Sequence, residues 1–202
     1  DEYFLVVNKP ANLPSIPSRN EEDASLLEIV NAYFRDNNYG TIPHIVTRLD
    51  KNTTGLVLIA KHRHIHALFG KTDINKFYLA LAKGKVADQV IEANIKREVD
   101  SIVTRCVAED GDYAKTQVWL EKYDEKNNVS LVKLKLFTGR THQIRVHMSH
   151  LGHPLLGDEL YGGNKDFITR QALHCHNLQF KHPIAQKELS LEAPLAGDIK
   201  NI

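Results

Sequence analysis

Residues 129–137 read Val-Ser-Leu-Val-Lys-Leu-Lys-Leu-Phe and give the clearest indication of the fold. Lys133 and Lys135 alternate with leucines, so charged and apolar side chains point to opposite faces of a strand. Similar strand patterns follow one another from about residue 90 to residue 138, with few helical patterns between them. Adjacent strands of this kind predict an α+β fold on a mixed, largely antiparallel central sheet that helices and loops flank.

Short apolar runs bounded by turn residues predict further strands on either side of this region. They are residues 3–10, Gly55–Ala60, Phe77–Ala82, Leu173–Phe180 and Glu188–Leu191. Helical spacing predicts one helix after Ser25, its expected N-cap, and a short His-rich helix around residues 62–69. A third helix is expected to be capped by Thr141, to bury Ile144 and to end at Gly152.

A length of 202 residues, an apolar share of 42% and a charged share of 25% are typical of a globular domain. No apolar run approaches the ~20 residues that cross a bilayer, and the acidic opening Asp1-Glu2 is unlike a signal peptide. Cys106 and Cys175 form no CxxC pair and fit a reducing compartment. We therefore expect a cytoplasmic protein with no membrane contact.

Charge is unevenly distributed along the chain, although the net charge is only +1. Residues 44–85 carry 8 Lys and Arg against 2 Asp and Glu, and residues 131–182 carry 7 against 3. The other stretches are net negative. Two basic blocks indicate a cationic face that suits a nucleic acid, although ordinary fluctuation can also produce such blocks.

The loop before the strand Gly55–Ala60 carries the strongest local signal, at residues 44–55. It places one carboxylate, Asp50, between the cations Arg48 and Lys51. Neighbouring cations favour the ionised form of a carboxylate, and an ionised, partly dehydrated carboxylate can act as a nucleophile. Taken alone, the same residues also fit a surface ion pair that fixes the loop, worth at most ~1 kcal/mol.

A second motif, Gly139–His147, places two arginines, a glutamine and two histidines around a helix start, where unpaired backbone N–H groups favour anions such as phosphate. Arg145 lies one turn into this helix beside the apolar stripe, where a guanidinium needs a carboxylate partner. A solvated basic helix face is the alternative. The third motif is Lys76-Phe77-Tyr78, in which Tyr78 fits either a core tyrosine or a ring that stacks on an extruded base.

In this order the three motifs resemble those of the RluA-type family of RNA pseudouridine synthases. The family signature H-R-L-D-x-x-T-S-G corresponds to Thr47–Gly55 here, with Thr47 in place of the usual His and Thr54 in place of the Ser. The resemblance extends to Val7–Pro10, Gly152–Gly162 and Leu173–Cys175. It therefore spans nearly the whole chain. We expect the two departures to change loop packing or substrate fit and to leave the reaction unchanged.

The resemblance implies a role for each motif residue. Asp50 would be the catalytic carboxylate, Arg145 its ion-pair partner and Tyr78 the ring stacked on the target uracil. Arg48 would enter the RNA stack in place of the flipped nucleotide, and Ile144 would form an apolar wall of the pocket. The further RNA contacts expected from the motifs are Lys51, Thr54, Lys76, Arg140 and His142.

The resemblance also implies the fold, reaction and partner. Residues 1–202 would form a catalytic domain with the pseudouridine synthase fold and an RNA-binding cleft, acting as a monomer on ribosomal or transfer RNA. The reaction breaks the N1–C1′ bond of uridine and joins C5 to C1′, so we expect no cofactor and no metal. Many members carry an S4-like RNA-binding domain before the catalytic one. Because Met148 is the only methionine, we expect a fragment whose front, with any such domain, is missing.

Two other interpretations stay open. Histidine pairs such as His62/His66 and His174/His176 could hold a metal with a third ligand, but no matching Cys and His spacing is present. An RNA-binding module without catalysis would use the basic blocks equally well. The intact Asp50 between two cations favours the enzyme, because a pure binder has no need of it.

Overall fold

The computed structural model describes residues 1–17 and 24–202, which form two compact units. Unit 1 contains Asp1–Ile74 and Cys175–Pro194, and unit 2 contains Asn75–His174 and Leu195–Ile202. The expectation of a single domain over residues 1–202 stays a prediction. Within the described ranges, no helix is long and apolar enough to cross a membrane.

Strands outnumber helices along the described residues. The strands are β1 (Phe4–Lys9), β2 (His44–Ile45), β3 (Thr54–Ala60), β4 (Ile74–Lys83), β5 (Gln89–Glu92), β6 (Ile95–Arg97), β7 (Arg105–Val107), β8 (Lys115–Asp124), β9 (Val129–Leu136), β10 (Leu173–Lys181) and β11 (Glu188–Glu192). The helices are α1 (Leu26–Asp36), α2 (Arg63–Phe69), α3 (Gln143–His150) and α4 (Gly197–Lys200), with a 3-10 helix at Glu159–Tyr161. Every strand and helix predicted from the sequence is present, with bounds that differ by a few residues.

In unit 1 the buried strand β3 forms the centre. It pairs antiparallel with β1, from Phe4 opposite Ala60 to Lys9 opposite Gly55. β10 lies beside β3, and β11 pairs antiparallel with β10. All residues of β3 are buried, which confirms the predicted core strand. The loop that holds Asp50 leads directly into β3, so the core strand fixes one end of that loop.

In unit 2 antiparallel strands follow one another as predicted. β4 pairs with β9, β9 with β8 and β8 with β5, while β6 and β7 form a separate hairpin. Leu134 of β9 is fully buried, whereas Lys133 and Lys135 place their Nζ atoms 5.3 and 5.6 Å from the centre of the Phe77 ring. The antiparallel pairs and the few helices confirm the α+β fold.

The helix ends confirm one predicted cap and correct another. At the start of α1, the Glu28 N–H donates to Ser25 Oγ at 3.3 Å and the Ser25 N–H donates to Glu28 Oε2 at 2.7 Å, a capping box. The cap predicted for α3 at Thr141 is wrong, because its N-cap is His142, whose backbone is left-handed at φ 57° and makes no side-chain cap bond. α3 ends just before Gly152 (φ +78°), as predicted.

Candidate active site

Asp50 lies in unit 1, at the start of a tight turn that leads into β3. The Thr53 N–H donates to the Asp50 carbonyl at 3.1 Å and closes the turn. The Asp50 side chain is half-buried, and Arg48 two residues earlier is exposed. A half-buried carboxylate is partly dehydrated and still accessible, which is what the predicted chemistry requires.

A buried lysine anchors this turn. Lys9, which is 0% exposed, donates to the carbonyls of Pro10 at 2.9 Å, Leu13 at 2.7 Å and Lys51 at 2.9 Å. These bonds engage all the N–H donors of its ammonium. The Leu13 N–H also donates to the Lys51 carbonyl, at 3.1 Å. Because Lys51 follows Asp50, a buried charge at the end of β1 fixes the backbone next to the predicted catalytic carboxylate.

Two hydroxyl groups fix the backbone on the other side of Asp50. The buried Ser15 Oγ donates to the Leu49 carbonyl at 2.7 Å and accepts from the Leu49 N–H at 3.0 Å. Thr47 Oγ1 accepts from the Leu58 N–H at 2.9 Å. Thr47 stands where the family usually has His and is 7% exposed; the expected effect of this departure on loop packing or substrate fit stays a prediction. Asp50 is thus held between two immobilised neighbours.

Gly55, at the end of the signature, is required by the packing of β3. Its φ is +111°, and a Cβ on it would lie 2.2 Å from the carbonyl oxygen of Cys175. Any side chain would therefore collide with the backbone of β10. Thr54 beside it is 6% exposed, and its predicted contact with RNA stays a prediction.

Tyr78 lies in unit 2, on β4 opposite Leu134 of β9. Its side chain is 5% exposed, which fits both alternatives left open by the sequence, so its stacking on uracil stays a prediction. Lys76 is two residues earlier and shares its face of the strand. The Lys76 Nζ lies 3.7 Å from the position of a Cβ on Gly139. Lys76 is therefore beside the loop that opens the second motif.

The side-chain amide of Gln143 fixes that loop. Its Oε1 accepts from Thr138 Oγ1 at 2.8 Å and from the Arg140 N–H at 2.9 Å. Its Nε2 donates to the Lys115 carbonyl and to Thr116 Oγ1, both at 3.0 Å. Gln143 is 2% exposed, so its role in the motif is to tie the loop to β8.

Arg145 forms a buried bidentate ion pair with Asp158. Its Nε donates to Asp158 Oδ2 at 2.7 Å and its Nη2 to Oδ1 at 2.8 Å, and the two side chains are 8% and 2% exposed. The carboxylate partner expected for a buried guanidinium is therefore present, but the sequence analysis named Asp50 as the partner and missed Asp158. The sequence feature that pointed to Asp158 was its position within Gly152–Gly162, a stretch that the family resemblance includes. The pairing of Arg145 with Asp50 stays a prediction and concerns the remaining N–H donors of the guanidinium.

Tyr161 contacts both Arg145 and the start of α3. The Arg145 Cζ lies 4.9 Å from the centre of the Tyr161 ring. The Tyr161 hydroxyl accepts from the Arg105 N–H at 3.0 Å and lies 2.8 Å from His142 Nδ1. Burial raises the pKa of Tyr161, while the Arg105 N–H and the Arg145 charge act in the opposite direction. The hydroxyl therefore keeps its proton near neutral pH.

The second histidine of the motif, His147, is part of the core. Its Nε2 lies 2.9 Å from the Ala93 carbonyl and its Nδ1 lies 2.9 Å from Thr116 Oγ1. Burial lowers the pKa of His147, and the bond to the Ala93 carbonyl acts in the opposite direction. This imidazole is therefore neutral and structural. Among residues 1–17 and 24–202, no group of three or more His, Cys, Asp or Glu side chains is placed to hold a metal ion.

The predicted site residues fall into two sets, one in each unit. Unit 1 carries Arg48, Asp50, Lys51 and Thr54, and unit 2 carries Lys76, Tyr78, Arg140, His142, Ile144 and Arg145. Arg140 is exposed, and its Nε donates to the Tyr113 carbonyl at 3.0 Å. Ile144 is 3% exposed. The RNA contacts of Arg140 and the pocket wall at Ile144 stay predictions.

Comparison with known proteins identifies the family. A family model described as RNA pseudouridylate synthase matches residues 3–150, a range that includes Asp50, Tyr78 and Arg145. The chain therefore belongs to the RluA-type family of RNA pseudouridine synthases, which are isomerases that act on RNA.

Individual relatives agree with this assignment. YjbO of Bacillus subtilis, named an uncharacterized RNA pseudouridine synthase, is 40% identical over 208 aligned residues that cover 100% of this chain and 73% of the relative. Ribosomal large subunit pseudouridine synthase D of Zymomonas mobilis is 34% identical over 99% of this chain and 69% of its own length. The solved structure of human RNA Pseudouridylate Synthase Domain Containing 1 is 28% identical with a TM-score of 0.77, over 96% of this chain and 80% of that one.

Proposed function

We propose that this chain converts specific uridines of ribosomal RNA to pseudouridine, with Asp50 as the catalytic carboxylate. The observation that carries the proposal is the immobilised backbone around Asp50, where Lys9 holds Lys51 and Ser15 holds Leu49. A loop that only binds RNA through surface cations has no need of a buried ammonium beside it. A catalytic group does, since displacements of about 1 Å can reduce a rate about 100-fold.

The proposed reaction starts when the target nucleotide is flipped out of the RNA stack, and Arg48 fills the vacated place. Asp50 then acts on the ribose, either by attack on C1′ or by removal of a ribose proton. In both routes the N1–C1′ bond breaks, the uracil turns, and a C5–C1′ bond forms. As C5 joins C1′, the Asp50–C1′ bond of the first route breaks, or the ribose proton of the second route returns to C2′. The hydrogen on C5 leaves as a proton and N1 takes up a proton, so substrate and product have the same composition.

The other site residues serve binding and orientation. Tyr78 stacks on the uracil, and Ile144 forms an apolar wall that excludes water from the reactive intermediate. Arg145 pairs with Asp50 and keeps it ionised. The polar and cationic residues of the motifs contact the RNA around the target, namely Lys51, Thr54, Lys76, Arg140 and His142. The chain acts as a monomer in the cytoplasm.

Ribosomal RNA is favoured over transfer RNA by the relatives. Several bacterial proteins named ribosomal large subunit pseudouridine synthase D are 33% to 36% identical to this chain over almost its whole length. The basic blocks at residues 44–85 and 131–182 suit either RNA, because phosphate contacts are independent of sequence.

The test is tritium release from RNA labelled at C5 of uridine. We expect the parent chain to release label from large-subunit ribosomal RNA and not from transfer RNA, and the Asp50→Asn variant to bind the same RNA without releasing label. Release from transfer RNA alone would reassign the substrate. RNA binding without release from either RNA would instead establish an RNA-binding module.

A further inference from the structure

The guanidinium of Arg145 is held from two directions. Asp158 binds its Nε–Nη2 edge at 2.7 and 2.8 Å, and the Tyr161 ring covers a face, with its centre 4.9 Å from Cζ. A planar guanidinium with one edge and one face fixed has a single orientation. Its remaining N–H donors then point in a fixed direction.

Asp158 and Tyr161 belong to one rigid turn. The Asp158 carbonyl accepts from the Tyr161 N–H at 3.0 Å and from the Gly163 N–H at 2.9 Å. A Cβ on Gly157 would lie 2.0 Å from the Arg170 carbonyl oxygen, so the backbone just before the turn is closely packed. The two residues that contact the edge and the ring face of Arg145 are therefore linked by the hydrogen bonds of one turn.

The Tyr161 hydroxyl extends this support to the surrounding backbone. It accepts from the Arg105 N–H of β7 at 3.0 Å and lies 2.8 Å from His142 Nδ1. His142 has a left-handed backbone, φ 57°, without a side-chain cap bond. A non-glycine residue in this conformation is strained, and the contact with Tyr161 helps to hold it there.

We propose that Tyr161 is a positioning residue for Arg145, in which the ring orients the guanidinium and the hydroxyl holds His142 and β7 around it. This inference rests on the proposed function, because it assigns Arg145 a part in the reaction. Tyr161 also packs against the core cluster of Ile95, Ala114 and Val146. Variants that remove only the hydroxyl or the whole ring can therefore show whether Tyr161 orients Arg145 or only packs in the core.

Three variants separate these effects. Tyr161→Phe keeps the ring and loses both hydrogen bonds, so we expect a lower melting temperature with kcat close to that of the parent. Tyr161→Leu and Tyr161→Met lose the ring, and Met fills more of the volume if Leu fails to fold. A cation over an aromatic ring contributes about 0.5–2 kcal/mol, so we expect these two variants to lower kcat about 2- to 30-fold while the Kd for RNA stays within twofold.

Tyr123 provides the matched control, since it also has a cation over its ring, Lys85 Nζ at 5.6 Å, and a side-chain hydrogen bond to Asn128 at 2.9 Å. Tyr123→Leu should leave kcat unchanged. Parent kcat in a folded Tyr161→Met variant would overturn the positioning role, as would a loss of kcat in Tyr161→Phe equal to that in Tyr161→Met. The proposed function fails separately, if the parent releases no tritium or if Asp50→Asn releases it normally.

Discussion

Replacing Lys9 with methionine tests whether the Asp50 turn depends on a buried ammonium. Lys9→Met keeps most of the buried side-chain volume and removes the donor to the carbonyls of Pro10, Leu13 and Lys51. The Lys51 carbonyl keeps its bond from the Leu13 N–H at 3.1 Å. The carbonyls of Pro10 and Leu13 lose the ammonium, and each unsatisfied acceptor costs about 1–3 kcal/mol.

Two such acceptors together cost about 2–6 kcal/mol. We expect Lys9→Met to lower the free energy of unfolding by about 3 kcal/mol, in the lower half of that combined range, because Pro10 is exposed and water can reach its carbonyl. For a chain of this size, that loss corresponds to a melting temperature about 6–12 °C lower. Urea unfolding followed by circular dichroism measures the change. Below the melting transition, kcat should fall about 10- to 100-fold with unchanged RNA affinity, since the backbone beside Asp50 is no longer fixed.

Lys71→Met is the matched control, because Lys71 is an exposed lysine of the same unit. Its unfolding free energy should stay within about 0.5 kcal/mol of the parent. A Lys9→Met protein with the stability and the kcat of the parent would refute the assignment of Lys9 as the anchor of the turn.

Three further predictions follow from the same structure. Burial lowers the pKa of His147 in the folded protein. The contribution of His147 to stability is therefore complete above pH 6.5, its pKa in the unfolded chain, and is lost as the pH falls toward the lower pKa of the folded state. The loss is at most about 1.4 kcal/mol per pH unit. Burial also lowers the pKa of His44, which therefore changes stability with pH in the same direction. Urea unfolding between pH 5 and pH 7.5 therefore compares the parent with His147→Gln. Equal slopes of unfolding free energy against pH in the two proteins would contradict the assignment. Gly55→Ala should lower the free energy of unfolding by about 3 kcal/mol or more, because its Cβ would lie 2.2 Å from a backbone oxygen. Gly40→Ala, at a residue with φ +61° and open space around it, should lower it by about 1–2 kcal/mol. Similar melting temperatures for the two variants would contradict this prediction. Tyr78→Phe should keep RNA affinity and lose most tritium release if the hydroxyl accepts the C5 proton, and undiminished release would restrict Tyr78 to stacking.

The fold was predictable wherever the signal is local. The alternation of lysines and leucines in residues 129–137 and the N-cap at Ser25 depend on neighbours in sequence, and both are confirmed. The predicted cap at Thr141 was wrong, because α3 is capped by His142, whose backbone is left-handed and whose imidazole contacts Tyr161, 19 residues later. No local pattern encodes that contact.

The need of Arg145 for a carboxylate partner was predictable from the sequence, and the identity of that partner was not. Burial of Arg145 in an apolar stripe required a carboxylate, and that requirement is confirmed by Asp158. The choice between Asp158 and Asp50 could not be made from spacing. The anchoring role of Lys9 could not be predicted from the sequence either, because its acceptors are backbone carbonyls, which every residue carries.

Single-turnover formation of pseudouridine by Asp50→Asn, measured by chromatographic nucleoside analysis of large-subunit ribosomal RNA, tests the central claim most directly. Asp73→Asn is the control, since it removes an exposed carboxylate of the same unit. We predict that Asp50→Asn binds RNA like the parent and forms product at least about 1,000-fold more slowly, while Asp73→Asn keeps the parent rate. Product formation by a folded Asp50→Asn protein at the parent rate would contradict the role of Asp50 as the catalytic carboxylate.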